Sequence, residues 1–220
     1  MSASEPAGPR PRRDALTGYP AILVLTGRRV VVVGGSRIAA RKIEALLAAG
    51  AKIEVVAPEP GPAVRAWADE GRLVLHERRF TPADLDGAWL GMTATGVPEV
   101  DAEVFRAGEA RGLFVNSADD PANCSFTLPS VVRRGDIVVA IGTGGRSPAL
   151  AAWLKEHVRA EMGPEYETLL DLLQEAREEI RATGRSTEDA DWRKALDSGI
   201  LDLVRAGDVG RAKELLRSCL

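Results

Sequence analysis

Cysteine and histidine are both scarce in this chain of 220 residues, and each shortage closes off a class of function. The two cysteines, Cys124 and Cys219, lie far apart and in no CxxC or Cys/His spacing, so neither a zinc site nor a disulfide framework is expected. A reducing compartment suits them, and the cytoplasm is the expected location. The two histidines, His76 and His157, have no spaced partner, and no metal site is expected. No apolar run approaches the ~20 residues that cross a bilayer, and the N-terminus lacks the apolar core of a signal peptide. The sequence therefore reads as soluble, with no membrane partner. A net charge of -3 argues against a nucleic-acid footprint spread over the surface, while permitting a local basic patch.

What is present is a globular chain, 45% hydrophobic and able to bury a core. Residues 1–17 are rich in Pro, Ala, Arg and Ser with little to bury, and are expected to form a disordered tail. From Arg28 the pattern changes. Val30 to Val33 is an unbroken β-branched run, the signature of a strand buried on both faces of a parallel sheet. Gly34-Gly35-Ser36 follows, then Ile38, Ile43, Leu46 and Leu47 at helical spacing, with Gly50 as the helix stop and Ile53 to Ala57 as a second strand. Such a β-turn-α-β unit fits the ~30 residues that a parallel crossover needs.

The alternation continues with a helix over Pro62 to Glu70, strands at Leu73 to His76 and Trp89 to Ala94, a helix over Glu99 to Arg111 and a strand at Leu113 to Asn116. An α/β class with a Rossmann-like parallel sheet is predicted, spanning residues 18–118. Two further β-like runs, Ser125 to Val132 and Ile137 to Ile141, flank the polar Arg133-Arg134-Gly135-Asp136 and predict a β-hairpin dimerisation segment over 119–147, since a short hairpin with a helical tail is too little to make an independent core. Beyond Ser147, an N-cap followed by Pro148, everything reads helical, giving a C-terminal domain over 148–220.

The turn Gly34-Gly35-Ser36-Arg37-Ile38-Ala39 matches G-x-G-x-x-G/A at Gly34 and Ala39 but carries Ser36 at the middle glycine. In its βαβ setting it predicts a dinucleotide pyrophosphate on the helix N-terminus. Glu59, just past the second strand, is the candidate partner of the adenosine ribose, with a solvated turn carboxylate as the alternative. No Arg or Lys lies between Ala57 and Val64 to meet a 2′-phosphate, which favours NAD over NADP.

These motifs carry a resemblance. Tyr19 to Leu25 followed by VVVGGSRIAARKIEALLAAGAKIEVVAPE resembles the N-terminal module of siroheme synthases, shared with stand-alone precorrin-2 dehydrogenases. Asn116-Ser117-Ala118-Asp119-Asp120-Pro121 with SFTLPS is similar to that family's N-x-x-D-x-P segment, and IGTGGRSPALAAWLKE to its glycine-rich S-G-G-x-S-P-x-L-A motif. The resemblance implies NAD-dependent oxidation of precorrin-2 to sirohydrochlorin, with iron insertion in some members, and a homodimer. It implies cofactor contacts at the glycine turn, at Pro58 and Glu59, and at Ala94 and Thr95. It also implies a catalytic carboxylate at Asp119 and substrate contacts at Asn116, Thr143, Gly144, Gly145, Arg146 and Ser147. This sequence departs from the family at Ser36 and at Gly96, where an aspartate often stands.

The chemistry asked of these residues is removal of a hydride and a proton from a reduced macrocycle. A carboxylate at the carboxyl edge of the sheet suits the proton, and Asp119 falls there; its alternative is a turn cap ahead of Pro121. A polycarboxylate substrate calls for cations. Arg133, Arg134, Arg146, Lys155 and Arg159 supply a basic bias, with Arg146 the strongest candidate and a solvated surface the alternative. Leu169, Leu172 and Leu173 read as packing. A non-catalytic NAD-sensing dimer is the competing function, consistent with Ser36.

Overall fold

The structure, a computed structural model, describes residues 18–118 and 120–220; the N-terminal tail expected over 1–17 and the carboxylate expected at Asp119 lie outside the described residues. The chain divides into two compact units, one ending at Leu128 and one running Pro129–Leu220.

The first unit is a five-stranded, all-parallel sheet. Its strands are β1 (Arg29–Val33), β2 (Lys52–Val56), β3 (Val74–His76), β4 (Leu90–Thr93) and β5 (Phe114–Ser117), in spatial order β3-β2-β1-β4-β5. The order reverses between β1 and β4, the topological switch point at whose carboxyl edge ligands of open α/β sheets bind. Helices α1 (Arg37–Ala48) and α2 (Pro62–Asp69) cover one face and α3 (Pro98–Glu109) the other. The valine run of β1 feeds both faces: Val30 and Val32 pack with Ile43, Leu46 and Val64, whereas Val31 and Val33 pack with Val104, Phe105 and Val115. The sheet is thus the two-sided layer that the uninterrupted run predicted.

Helix α3 lies against β5 through Gly108, where a Cβ would come 2.2 Å from Val115 Cγ2. Beyond β5 the chain turns back along that strand. Ser125 N–H donates to Val115 O at 2.7 Å and Val115 N–H to Ser125 Oγ at 3.2 Å, so the outer edge of the sheet is covered.

The second unit opens with the hairpin β6 (Ser130–Arg134) and β7 (Ile137–Ile141), antiparallel with Arg134 opposite Ile137. The two-residue connection starts at Gly135, φ 51°, a left-handed value that matches the twist of a tight hairpin. The strand expected from Ser125 begins only at Ser130, because Ser125 is engaged with β5. Five helices follow: α4 (Pro148–Glu161), α5 (Glu165–Ala182), α6 (Trp192–Asp197), α7 (Ile200–Arg205) and α8 (Val209–Cys219). Leu169 and Leu172 of α5 are buried against Ala195, Ile200, Val204, Ala212 and Leu216, the packing role expected of that stripe, and Leu173 packs against the same cluster partly buried. Among the described residues no helix is long and apolar enough to cross a membrane.

Candidate functional site

The loops after β1, β2, β4 and β5 meet at the carboxyl edge of the sheet, around the switch point. The parallel ladder continues past the strand ends: Gly34 N–H donates to Val56 O (2.9 Å), Ala94 N–H to Val33 O (2.9 Å) and Ala118 N–H to Thr93 O (2.8 Å). Gly61 N–H reaches Gly35 O at 2.9 Å, tying the β2–α2 loop to the glycine turn. The approach is so close that side chains are excluded. A Cβ on Gly34 would lie 2.5 Å from Ala94 O, and one on Gly35 2.6 Å from Pro60 Cα. Gly34 also holds φ 113°, a region open to glycine at little cost.

Ser36, the departure from the glycine motif, has φ -69° and needs no glycine for its backbone. It is the N-cap of α1. Its Oγ accepts the Ala39 N–H at 3.3 Å and donates to Ala94 O at 3.3 Å. The first-turn N–H groups of Arg37 and Ile38 make no hydrogen bond among the described residues, and both residues are exposed. A pyrophosphate would find here two free donors at the positive end of a 12-residue helix. Backbone held too tightly for any Cβ, beside free helix-end donors, fits a dinucleotide.

Ala94 is buried and Thr95 half-buried, and both are held by a residue that the motif reading missed. Asp101, buried inside α3, accepts hydrogen bonds from Thr93 Oγ1, from Thr95 Oγ1 (2.7 Å) and from Thr95 N–H (3.3 Å). Gly96 adopts φ 74°, so glycine here answers a left-handed turn between β4 and α3. Pro58 and Glu59 are exposed just past β2. Arg65, one residue past Val64, bonds Pro60 O through Nε (3.2 Å) and Glu77 through a terminal nitrogen (2.5 Å).

Asn116 is buried on β5, and its amide is engaged by the protein. Lys42 Nζ of α1 donates to its Oδ1 at 2.8 Å, and its Nδ2 donates to Phe126 O at 3.0 Å and faces Cys124 Sγ at 3.6 Å. One residue on, Ser117 Oγ is buried without a partner among the described residues, a hydroxyl with a hydrogen bond to offer at this edge. The cluster Asn116, Lys42 and Cys124 joins residues up to 82 positions apart, a grouping with no short-range signature in sequence.

The remaining expected substrate residues sit in the second unit. Thr143 O accepts the Arg146 N–H at 3.1 Å across Gly144 (φ 62°) and Gly145 (φ 77°), a tight turn with two left-handed residues in succession. Thr143 Oγ1 donates to Ser147 O (3.1 Å), and Ser147 caps α4 by accepting the Leu150 N–H (3.2 Å). Arg146 is exposed, and its side chain has no partner among the described residues. Two other arginines of the basic bias are engaged. Arg134 caps the C-terminus of α4 through Met162 O (2.6 Å) and Arg159 O (3.3 Å), and Arg159 pairs with Glu156 at 3.0 Å. His76 faces Glu54 at 3.4 Å and His157 stacks on Trp153, ring centroids 4.1 Å apart.

Comparison with known proteins agrees with this geometry. A family model described as putative NAD(P)-binding matches residues 21–130. Siroheme synthase 2 of Aeromonas hydrophila is 38% identical over 91% of this chain and 43% of its own length, and siroheme synthase of Nitrosococcus oceani 32% identical over the same shares. The chain thus spans under half the length of those relatives. A solved structure of SirC, a precorrin-2 dehydrogenase, is 29% identical, superposes with a TM-score of 0.75, and is matched over 98% of its length by 92% of this chain. The chain belongs to the putative NAD(P)-binding family and, within it, to the module shared by siroheme synthases and precorrin-2 dehydrogenase.

Proposed function

We propose that this protein is an NAD-dependent dehydrogenase that oxidises precorrin-2 to sirohydrochlorin. The observation that carries this reading is the likeness to a precorrin-2 dehydrogenase over nearly all of both chains. A shared dinucleotide domain alone would not distinguish substrates. NAD, when bound, supplies the hydride acceptor. The chain's own part is to orient and to take a proton: the glycine turn and the N–H groups of Arg37 and Ile38 hold the pyrophosphate, and Glu59 the ribose hydroxyls. Thr95, fixed by Asp101, borders the same edge. Holding the reactants in attack geometry supplies ~7–11 kcal/mol of the barrier. Asp119 accepts the proton released from the macrocycle, and Arg146, on its two-glycine turn, pairs with a substrate carboxylate. One hydride and one proton leave, giving sirohydrochlorin, reduced NAD and a protonated carboxylate.

NAD rather than NADP is favoured by the exposed Glu59 and by Arg65, whose guanidinium is engaged with Glu77 and Pro60 O. Two copies are expected to associate through the second unit, where α4 buries only Ala151 and leaves Leu150 and Trp153 about half exposed. Cys124 and Cys219 are both in the thiol form, which suits a reducing cytoplasm.

Anaerobic turnover of precorrin-2 with NAD, followed by absorbance, tests the reading. Wild-type protein should produce sirohydrochlorin, and Asp119→Ala should lose turnover while keeping NAD affinity. An inactive wild type that still binds NAD would instead leave the non-catalytic sensing dimer. Supplying sirohydrochlorin with ferrous ion, without NAD, separates metal insertion from oxidation.

A further inference from the structure

Just past the end of β2, an arginine stands beside the cofactor edge with its charge already engaged. Arg65, on α2, donates through Nε to Pro60 O at 3.2 Å and through a terminal nitrogen to Glu77 Oε1 at 2.5 Å. Pro60 is itself part of that edge. It follows Glu59 in the chain, its Cα lies 2.6 Å from where a Cβ on Gly35 would stand, and the next N–H, that of Gly61, donates to Gly35 O. The guanidinium is therefore docked one residue from the carboxylate assigned to the adenosine ribose. In dinucleotide folds an arginine near this acidic position accommodates the 2′-phosphate that distinguishes NADP from NAD. Arg72 and Arg78, further along, are engaged as well: Arg72 pairs with Glu70 and lies over the Trp67 ring, and Arg78 forks onto Asp84. Arg79 is exposed, and its side chain makes no hydrogen bond among the described residues.

As a fastening for α2 the pair contributes little. The Arg65 and Glu77 side chains are 48% and 47% exposed, and ion pairs so open to water add little to stability. The consequence is electrostatic. Glu77 occupies one donor of the guanidinium fork and Pro60 O another, so a phosphate arriving here would have to displace one carboxylate while approaching a second, Glu59.

We propose that Glu77 is a specificity-determining residue, which keeps the Arg65 guanidinium engaged so that the cofactor edge accepts an adenosine with a free 2′-hydroxyl and rejects a 2′-phosphate. The proposal rests on the NAD reading above and deepens it by naming the residue that enforces the choice. Glu77 acts through Arg65 and does not itself meet the cofactor.

The test is calorimetric titration of the full chain with NAD and with NADP, for wild type, Glu77→Gln, Arg65→Leu and the double variant. Glu77→Gln keeps the size of the side chain and removes its charge. It should tighten NADP about tenfold, because an arginine–phosphate hydrogen bond outweighs an exposed ion pair, and should leave NAD within about twofold. On the Arg65→Leu background the same substitution should tighten NADP by no more than about twofold, the residue of a screened repulsion. Urea midpoints of wild type and Glu77→Gln should agree, which separates specificity from stability. NADP affinity unchanged in Glu77→Gln overturns the proposal. So does a gain that survives Arg65→Leu, which would hand the phosphate to another cation such as Arg79, and so does an equal gain for both dinucleotides. A wild type that binds neither dinucleotide fails the NAD reading and this inference with it, whereas one that prefers NAD while Glu77→Gln changes nothing fails the inference alone.

Discussion

Single side chains at the carboxyl edge serve the loops as much as the ligand. Ser36 breaks the glycine motif when read as a string, yet in place it caps α1 and ties the turn to Ala94 O. Asp101 is invisible to motif reading because its role depends on Thr93 and Thr95, which reach it only once β4 and α3 are packed. Asp101→Ala should strand the buried Thr93 hydroxyl and cost about 1–3 kcal/mol, with NAD binding weakened about tenfold or more; denaturant titration and calorimetry measure the two, and unchanged NAD affinity would show that the Thr95 loop does not meet the cofactor. A second carboxylate makes a pH prediction. Asp84 is held down to about 2 from its ordinary 3.8, first by the Arg78 guanidinium and then by the Thr81 backbone N–H. Its folded value is depressed, so its contribution to stability is fully present above pH 3.8 and disappears as pH falls through about 2. The stability gap between wild type and Asp84→Asn should be constant from pH 5 to 7, by about the precision of a urea titration, and close on acidification. A gap that persists at the acid end would contradict the linkage.

Secondary elements reveal why glycine appears where the periodicity does not ask for it. Gly108 interrupts a good helix former, α3, because Val115 of β5 fills the space a side chain would occupy. Gly91, on β4, faces the same valine, with a Cβ position 3.3 Å from its Cγ2. Gly108→Ala gains helix propensity worth about 0.8–1.0 kcal/mol but overpacks the contact at a cost of about 1–3 kcal/mol, so a net loss of stability is expected. Thermal unfolding should show a lower Tm, and Gly108→Ala combined with Val115→Ala should recover part of it. A variant as stable as wild type would mean that helix and strand move apart without penalty. Helix α5 was legible from its apolar stripe, whereas the strand expected from Ser125 was not placed correctly. Its β propensity is real, but the residues that decide its use lie on β5, ten positions earlier in the chain.

At the scale of the molecule, binding of NAD should be felt at the loops after β1, β2 and β4 and not across the second unit. With NAD at a hundredfold excess over its dissociation constant, stabilisation of the first unit of about 2.7 kcal/mol is expected. Exchange protection should appear at 34–38, 58–61 and 94–97, with α5 to α8 unaffected, and NADP should protect less at equal concentration. Protection by NADP equal to that by NAD would remove the assigned role of Glu59.

By itself the sequence determined the alternation of strands and helices, the glycine turn, the hairpin and the helical character of the C-terminal part. Each of these is written in residues within a few positions of one another, where periodicity and turn chemistry act. The tertiary structure alone decided the strand order and the partners of the buried polar groups, such as Lys42 on Asn116, Arg134 on the end of α4, and Cys124 on the loop of β5. The reason is physical: a buried donor or acceptor must find a partner wherever packing brings one, and distance along the chain places almost no constraint on which one it finds.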